Sequence, residues 1–140
     1  MPDTILLSHG GGGLLSADFI EEHIRKRFSN AWLDRMGDSA VLEAGNSRIA
    51  FTSDSFVVSP LFFPGGNIGD LAVCGTVNDL AMAGARPQWL SLSLILEEGV
   101  PVQDLARILD TIRDRAQEAK VAVVCGDTRS EERRVGKECA

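Results

Sequence analysis

The chain has 140 residues, 44% of them hydrophobic, enough for one globular domain or part of a larger one. A formal net charge of −6 argues against a general nucleic-acid surface, which needs clustered Lys and Arg, but is compatible with a nucleotide carried with Mg²⁺. No basic-then-apolar leader and no apolar run of membrane-spanning length occurs, so a cytoplasmic location is the default expectation.

Met1–Leu7 is a short apolar lead into Ser8-His9-Gly10-Gly11-Gly12-Gly13. Four successive glycines serve either as a flexible linker or as a loop whose bare N–H groups close over phosphates. The next segment, Leu14–Phe28, favours the loop. Leu15, Phe19, Ile20, Ile24 and Phe28 recur at helical spacing, Ser16 fits an N-cap, and glycines opening onto a helix suit an anion. No Gly-Lys-Ser/Thr follows, so this is not the Walker pattern. His9 is expected to be structural.

Ser29–Met36 is predicted to be a turn anchored by Trp32 and Leu33. Gly37–Leu42 leads into a strand, Asn46-Ser47 turns, and Arg48–Ser53 returns to end at Asp54-Ser55. Asp38 and Asp54 thus flank paired strands, where side chains converge on one sheet end; a plain turn residue is the alternative role for each. Phe56–Pro60 reads as extended. Phe62–Asn67 cannot be a helix interior, because Pro64 lacks a donor and two glycines follow. From Ile68 onward, small apolar residues such as Ala72, Gly75, Ala81 and Ala83 predict a helix pressed on most sides against other backbone, ended by Gly84 and Pro87. Within it sit Asn78 and Asp79. A carboxylate in a closely packed helix is costly unless a cation meets it, so this helix reads as the wall of a cation site.

Gln88–Leu96 alternates, with Leu90, Leu92, Leu94 and Leu96 on one side and Trp89, Ser91, Ser93 and Ile95 on the other. The first side covers helices. The second is too apolar for open water and too polar for a core, which suits a face held against a partner subunit. Pro101 opens a further helix, with Leu105, Ile108, Leu109, Ile112 and Ala116 as its buried stripe. Asp104, Arg107, Asp110, Arg113 and Asp114 form its solvated face. Val121–Val124 is expected to be a short buried strand running into Cys125-Gly126-Asp127-Thr128. Arg129–Ala140, charged and without periodicity, is expected to be frayed. Cys74, Cys125 and Cys139 form no CxxC pair; Cys74 and Cys125, in apolar runs, read as buried small hydrophobes. Three helical patterns interleave with four or five strands, so the class is mixed α/β (α+β) with an antiparallel component.

Asp38, Asp54 and Asp127 border strands, and Asp79 lies in the small-residue helix. Two unit charges about 4 Å apart repel by roughly 4 kcal/mol at an effective dielectric of about 20, so a convergent set would hold a divalent cation well. Oxygen donors without a His–Cys set favour Mg²⁺ over zinc. Together with Gly10–Gly13 they predict an Mg-nucleotide site.

The stretch TSDSFVVSPLFFPGGNIGDLAVCGTVNDLAMAGARP, the ILEEGVP turn and the closing GDT resemble the HypE family of hydrogenase-maturation proteins. The likeness runs from SHGGGG to Thr128, and FFPGG–GTVNDLAMAGA is its most specific block. HypE belongs with aminoimidazole ribonucleotide synthetase, selenophosphate synthetase and thiamine monophosphate kinase in the PurM (AIR-synthase-like) superfamily. The resemblance implies a PurM N-terminal-like domain, a mixed and mostly antiparallel sheet covered by helices on one face and dimerising through the other. It also implies ATP-dependent dehydration of a cysteine-bound thiocarboxamide to a thiocyanate, the source of the cyanide on the iron of [NiFe]-hydrogenase. Carried onto this sequence, Asp38, Asp54, Asp79 and Asp127 match the Mg²⁺–phosphate positions, and Asn78 and Thr128 accompany them. Gly10–Gly13 match the loop that orders over the nucleotide. The implied partners are a second copy, a HypF-type carbamoyltransferase and a HypC–HypD-type scaffold. The departures are Arg129, where the family has Lys, and 130–140, which no longer look like it. Residues 1–128 are therefore expected to form the ATP-binding domain, with 129–140 a non-family tail and the C-terminal domain absent. Cys139 lacks the flexible tail of the family's acceptor cysteine and is not expected to serve as one. A catalytically silent scaffold and a sibling small-molecule kinase are the alternative readings.

Overall fold

The structure, a computed structural model, describes residues 4–131, and the chain divides into two units, Met1–Phe51 and Thr52–Ala140. In the first unit a 3-10 turn, Leu7–His9, precedes α1 (Gly13–Phe19). Helix continues through a π-helical stretch, Ile20–Arg25, into α2 (Lys26–Phe28), over the span that the spacing predicts. The N-cap, however, is Gly12 and not Ser16, which lies inside the helix. The apolar stripe is also less covered than its period suggests: Leu15 is 54% and Phe28 62% exposed. Trp32 and Leu33 are likewise partly exposed rather than anchored.

β1 (Ala40–Ala44) and β2 (Ser47–Phe51) form an antiparallel hairpin with Ala40 opposite Phe51 and Ala44 opposite Ser47. Its turn is Gly45-Asn46, one residue earlier than expected. Gly45, at φ 60°, supplies the left-handed conformation that a two-residue hairpin turn requires.

The second unit opens with a two-by-two hairpin, β3 (Phe62–Phe63) against β4 (Gly66–Asn67), turned by Pro64-Gly65. It leads directly into α3 (Ile68–Met82), and then β5 (Trp89–Glu97), α4 (Val102–Ala119) and β6 (Ala122–Glu131) follow. β5 and β6 pair in parallel, from Trp89 opposite Ala122 to Glu97 opposite Glu131, with a register shift between Leu90 and Ser91. Val73, Ile108 and Ile112 make the buried core, and Leu61, Phe62, Ile68, Val77, Leu90 and Leu92 pack around it. α3 and α4 approach closely at Gly69, where a Cβ would come within 2.8 Å of the Ile108 carbonyl oxygen. α3 stops as predicted: Gly84, at φ 69°, lets the amides of Gly84 and Ala85 return to the carbonyls of Ala81 and Leu80.

The class is the expected mixed α/β, built from small sheets: the described strands form two antiparallel pairs and one parallel pair. The β5 alternation holds, with the four leucines half-buried and Trp89 and Ile95 exposed on the other face. Three expectations are corrected. α3 buries only Gly69, Val73 and Leu80, because among the described residues α4 and β5 cover one of its faces, the Phe56 ring covers Gly75 on another, and Leu71, Cys74, Asn78 and Met82 stay exposed. β6 is exposed throughout and extends through Arg129–Glu131, where ladder pairing to β5 overrides the charged composition that suggested fraying. Cys74 and Cys125 are consequently exposed, not buried. Cys139 and the rest of 132–140 lie outside the described residues. Among the described residues no helix is long and apolar enough to cross a membrane.

Candidate functional site

The glycine loop belongs to the first unit. Gly12 and Gly13 hold φ of 80° and 79°, a region that only glycine enters freely. A Cβ on Gly10, Gly12 or Gly13 would meet nothing within 4 Å, so this backbone is bare to solvent. Beneath it the Ser16 hydroxyl, 6% exposed, accepts from the Gly12 amide at 2.9 Å and donates toward the carbonyls of Ser8 and His9 at 3.1 and 2.9 Å. His9 is held structurally: its Nδ1 accepts from the Leu6 amide at 3.1 Å, and its ring stacks on Phe19 at 5.2 Å. Asp38, also in this unit, is an exposed residue just ahead of β1.

The other predicted acids lie in the second unit. Asp79 is half-buried on α3 and its neighbour Asn78 is exposed. Asp54 lies in the irregular segment after β2, two residues before Phe56. The Phe56 ring packs on Gly75, where a Cβ would sit 2.7 Å from Cζ. Gly75 and Asp79 are one helical turn apart, so the Phe56 ring rests on the α3 face that Asp79 shares, with the exposed Asp54 two residues before it in the chain.

Asp127 is placed differently. It pairs with Ser93 and so takes the outward face of β5 and β6, whereas Thr128 pairs with Leu94 on the side of the helices. Its carboxylate meets the Arg129 guanidinium at 3.2 Å. A cleft of about 530 Å³ runs along these strands, with Leu92, Leu94, Asp127 and Thr128 in its lining. Gly126 is obligatory here, since a Cβ would overlap the Leu92 carbonyl oxygen. Among the described residues no three acidic, His or Cys groups are gathered in a metal-holding cluster. Mg²⁺ that arrives on a nucleotide needs only one or two carboxylates, with phosphate and water oxygens for the rest. On donor chemistry Asp54 and Asp79 suit that role.

Sequence reasoning passed over the polar network that fixes the start of α3. Asn67, 7% exposed, caps the helix by accepting from the Gly69 amide at 2.8 Å, and its own amide donates to Thr111 Oγ1 at 2.9 Å. Asp70 completes the capping box by accepting from the Asn67 amide at 2.8 Å, and it takes the Arg115 Nε at 2.7 Å. That guanidinium, and then the Asn67 amide, hold the Asp70 carboxyl below the usual carboxylate range. The Asn-x-x-Asp spacing ahead of an apolar run was the available signal. Arg115 had none, since its partner lies 45 residues away.

A profile for the AIR synthase related protein, N-terminal domain, matches residues 36–139. The carbamoyl dehydratase HypE of Azotobacter vinelandii is 50% identical over 126 residues, which cover 90% of this chain and 37% of that protein. Among solved structures, a HypE–HypF complex contains a chain 50% identical to this one, with a TM-score of 0.76 over 84% of this chain and 37% of the other. A hydrogenase maturation protein HypE in complex with ATP is 42% identical, with a TM-score of 0.61 over 96% of this chain and 40% of the other. The chain thus spans about two fifths of the length of these relatives.

Proposed function

The chain belongs to the AIR synthase related protein family through its N-terminal domain, and on that premise we propose that it is the ATP-handling part of a HypE-type carbamoyl dehydratase acting in [NiFe]-hydrogenase maturation. The observation that carries this reading is 50% identity, over 90% of this chain, to a carbamoyl dehydratase HypE. The reaction is dehydration of a cysteine-bound thiocarboxamide, S–C(=O)–NH₂. ATP transfers its γ-phosphoryl group to the carboxamide oxygen; the nitrogen then loses its protons as the carbon–oxygen bond breaks. The products are the thiocyanate S–C≡N, ADP and phosphate. No residue of this chain is assigned as the cysteine.

The residues contribute positioning and electrostatics, which dominate phosphoryl transfer. The Gly10–Gly13 loop would offer the phosphate chain those backbone donors that Ser16 Oγ and the Leu7 carbonyl do not already engage, and Asn78 and Thr128 would supply further polar contacts to the nucleotide. Asp54 and Asp79 would hold the Mg²⁺ that accompanies it, and Asp38 and Asp127 are further candidate ligands. When bound, Mg²⁺ neutralises charge on the phosphate oxygens. A HypF-type carbamoyltransferase is the proposed donor partner, supported by the solved complex of a relative. A HypC–HypD-type scaffold is the proposed acceptor, and a second copy of the chain packs on the Trp89–Ile95 face. The setting is the cytoplasm.

Mg-ATP affinity measured by titration calorimetry tests the reading. Asp79→Asn is expected to weaken binding about tenfold or more, the loss of one charge-assisted contact. Equal affinity in both proteins, or none in either, would instead support a silent scaffold, a reading favoured by the engagement of Asp127 with Arg129. Phosphorylation of a free metabolite would point to a sibling kinase.

A further inference from the structure

Ser16 is the one buried residue among those described from 4 to 51, and it is polar. A buried hydroxyl is retained at a cost unless its hydrogen bonds are met, and here they are met only by the glycine loop and its approach. The hydroxyl receives the Gly12 amide, two residues past Gly10, and returns its proton toward the Ser8 and His9 carbonyls on the other side of the loop. Those three backbone groups come from both ends of one tight excursion, so a single side chain closes it. Without that closure the run Gly10–Gly13 keeps the hydrogen bond of the Gly10 amide to the Leu7 carbonyl at 3.1 Å and backbone contact at Gly11, while Cβ positions at Gly10, Gly12 and Gly13 are empty and glycine backbones are the most mobile.

We propose that Ser16 is a positioning residue: its hydroxyl holds the root of the Gly10–Gly13 loop in one conformation, so that the remaining amides of the loop are pre-arranged for a phosphate chain. The second half of this statement rests on the nucleotide reading above. The first half stands on the hydrogen bonds alone. A loop ordered before the ligand arrives does not lose its conformational freedom on binding, which is how a residue that never touches phosphate raises affinity for it.

The 140-residue chain is compared as wild type, Ser16→Ala and Ser16→Thr, by amide hydrogen exchange and by titration with Mg-ATP. Ser16→Ala is expected to speed exchange at Gly10–Gly13 while leaving the β1–β2 hairpin amides as in wild type. Affinity for Mg-ATP is expected to fall about fivefold, the effect of one ordinary hydrogen bond. Ser16→Thr keeps the hydroxyl and restores both readouts to within about twofold of wild type. If hairpin exchange shows that Ser16→Ala has unfolded, Ser16→Cys carries the same comparison with nearly the same volume and a weak donor. Unchanged loop exchange in a folded Ala or Cys variant overturns the proposal. Failure of the wild type to bind Mg-ATP removes the phosphate half and the nucleotide reading with it, while loop exchange still decides what Ser16 holds.

Discussion

Replacing Asn67 by Ala should destabilise the α3–α4 layer by about 2 kcal/mol. The side chain caps α3 from a position 7% exposed, and its truncation leaves the Gly69 amide, in a buried residue, without an acceptor. Loss of an Asn cap costs about 1 kcal/mol, and an unmet buried donor costs about 1–3 kcal/mol; these describe the same bond and do not add. Thr111 is not stranded by the change, because its hydroxyl still donates to the Arg107 carbonyl at 3.0 Å. With a urea slope of about 2 kcal/mol per molar, the midpoint followed by far-ultraviolet circular dichroism should fall by about 1 M. Asn67→Ser keeps a neutral cap acceptor and loses the donation to Thr111, so it should lie within about 1 kcal/mol of wild type. An unchanged midpoint in Asn67→Ala, or an equal loss in Asn67→Ser, would refute the assignment of the cap as the main term.

Asp70 predicts an acid limb in stability. Its carboxyl is held below the usual range by Arg115 and the Asn67 amide, so on acidification the unfolded chain takes up the proton first. Its stabilisation is complete above the ordinary carboxylate pKa and disappears as pH falls through the lower folded value. Asp70→Asn should therefore flatten urea midpoints measured between neutral and acid pH, and a limb as steep as wild type would contradict this. Ile95→Lys, on a face 73% exposed at that residue, should convert a sedimenting dimer to monomer without altering the circular dichroism. A wild type that sediments as a monomer, or a variant that stays dimeric, would remove that face as the contact between copies.

Much of the fold was legible because it depends on near neighbours. Pro64-Gly65 turns β3 into β4, Gly84 stops α3, and the leucines of β5 and Ile108, Ile112 and Ala116 of the α4 stripe face inward as their periods require, whereas Leu109, expected in that stripe, is 37% exposed. The family likeness was legible for the same reason, since it rides on contiguous words such as FFPGG and VNDLAMAGA. The candidate site was less so. Periodicity placed the Leu14–Phe28 helix but not the exposure of its stripe, and hydropathy marked the Val121–Val124 strand as buried although only Val121 is, and β6 is open along its whole length. Burial is a property of what else comes to lie against an element, and a local window contains none of that information.

The sequence by itself determined where the chain turns, which residues recur on one face, and to which family its motifs are similar, because backbone sterics and side-chain period act within a few residues. Tertiary structure alone decided which distant groups meet and which face each strand presents. Arg115 reaches Asp70 across 45 residues, Phe56 lays its ring on Gly75, and parallel pairing with β5 turns Asp127 outward to Arg129. Such pairings are set by packing and by the closure of long loops, which weigh every segment of the chain against every other.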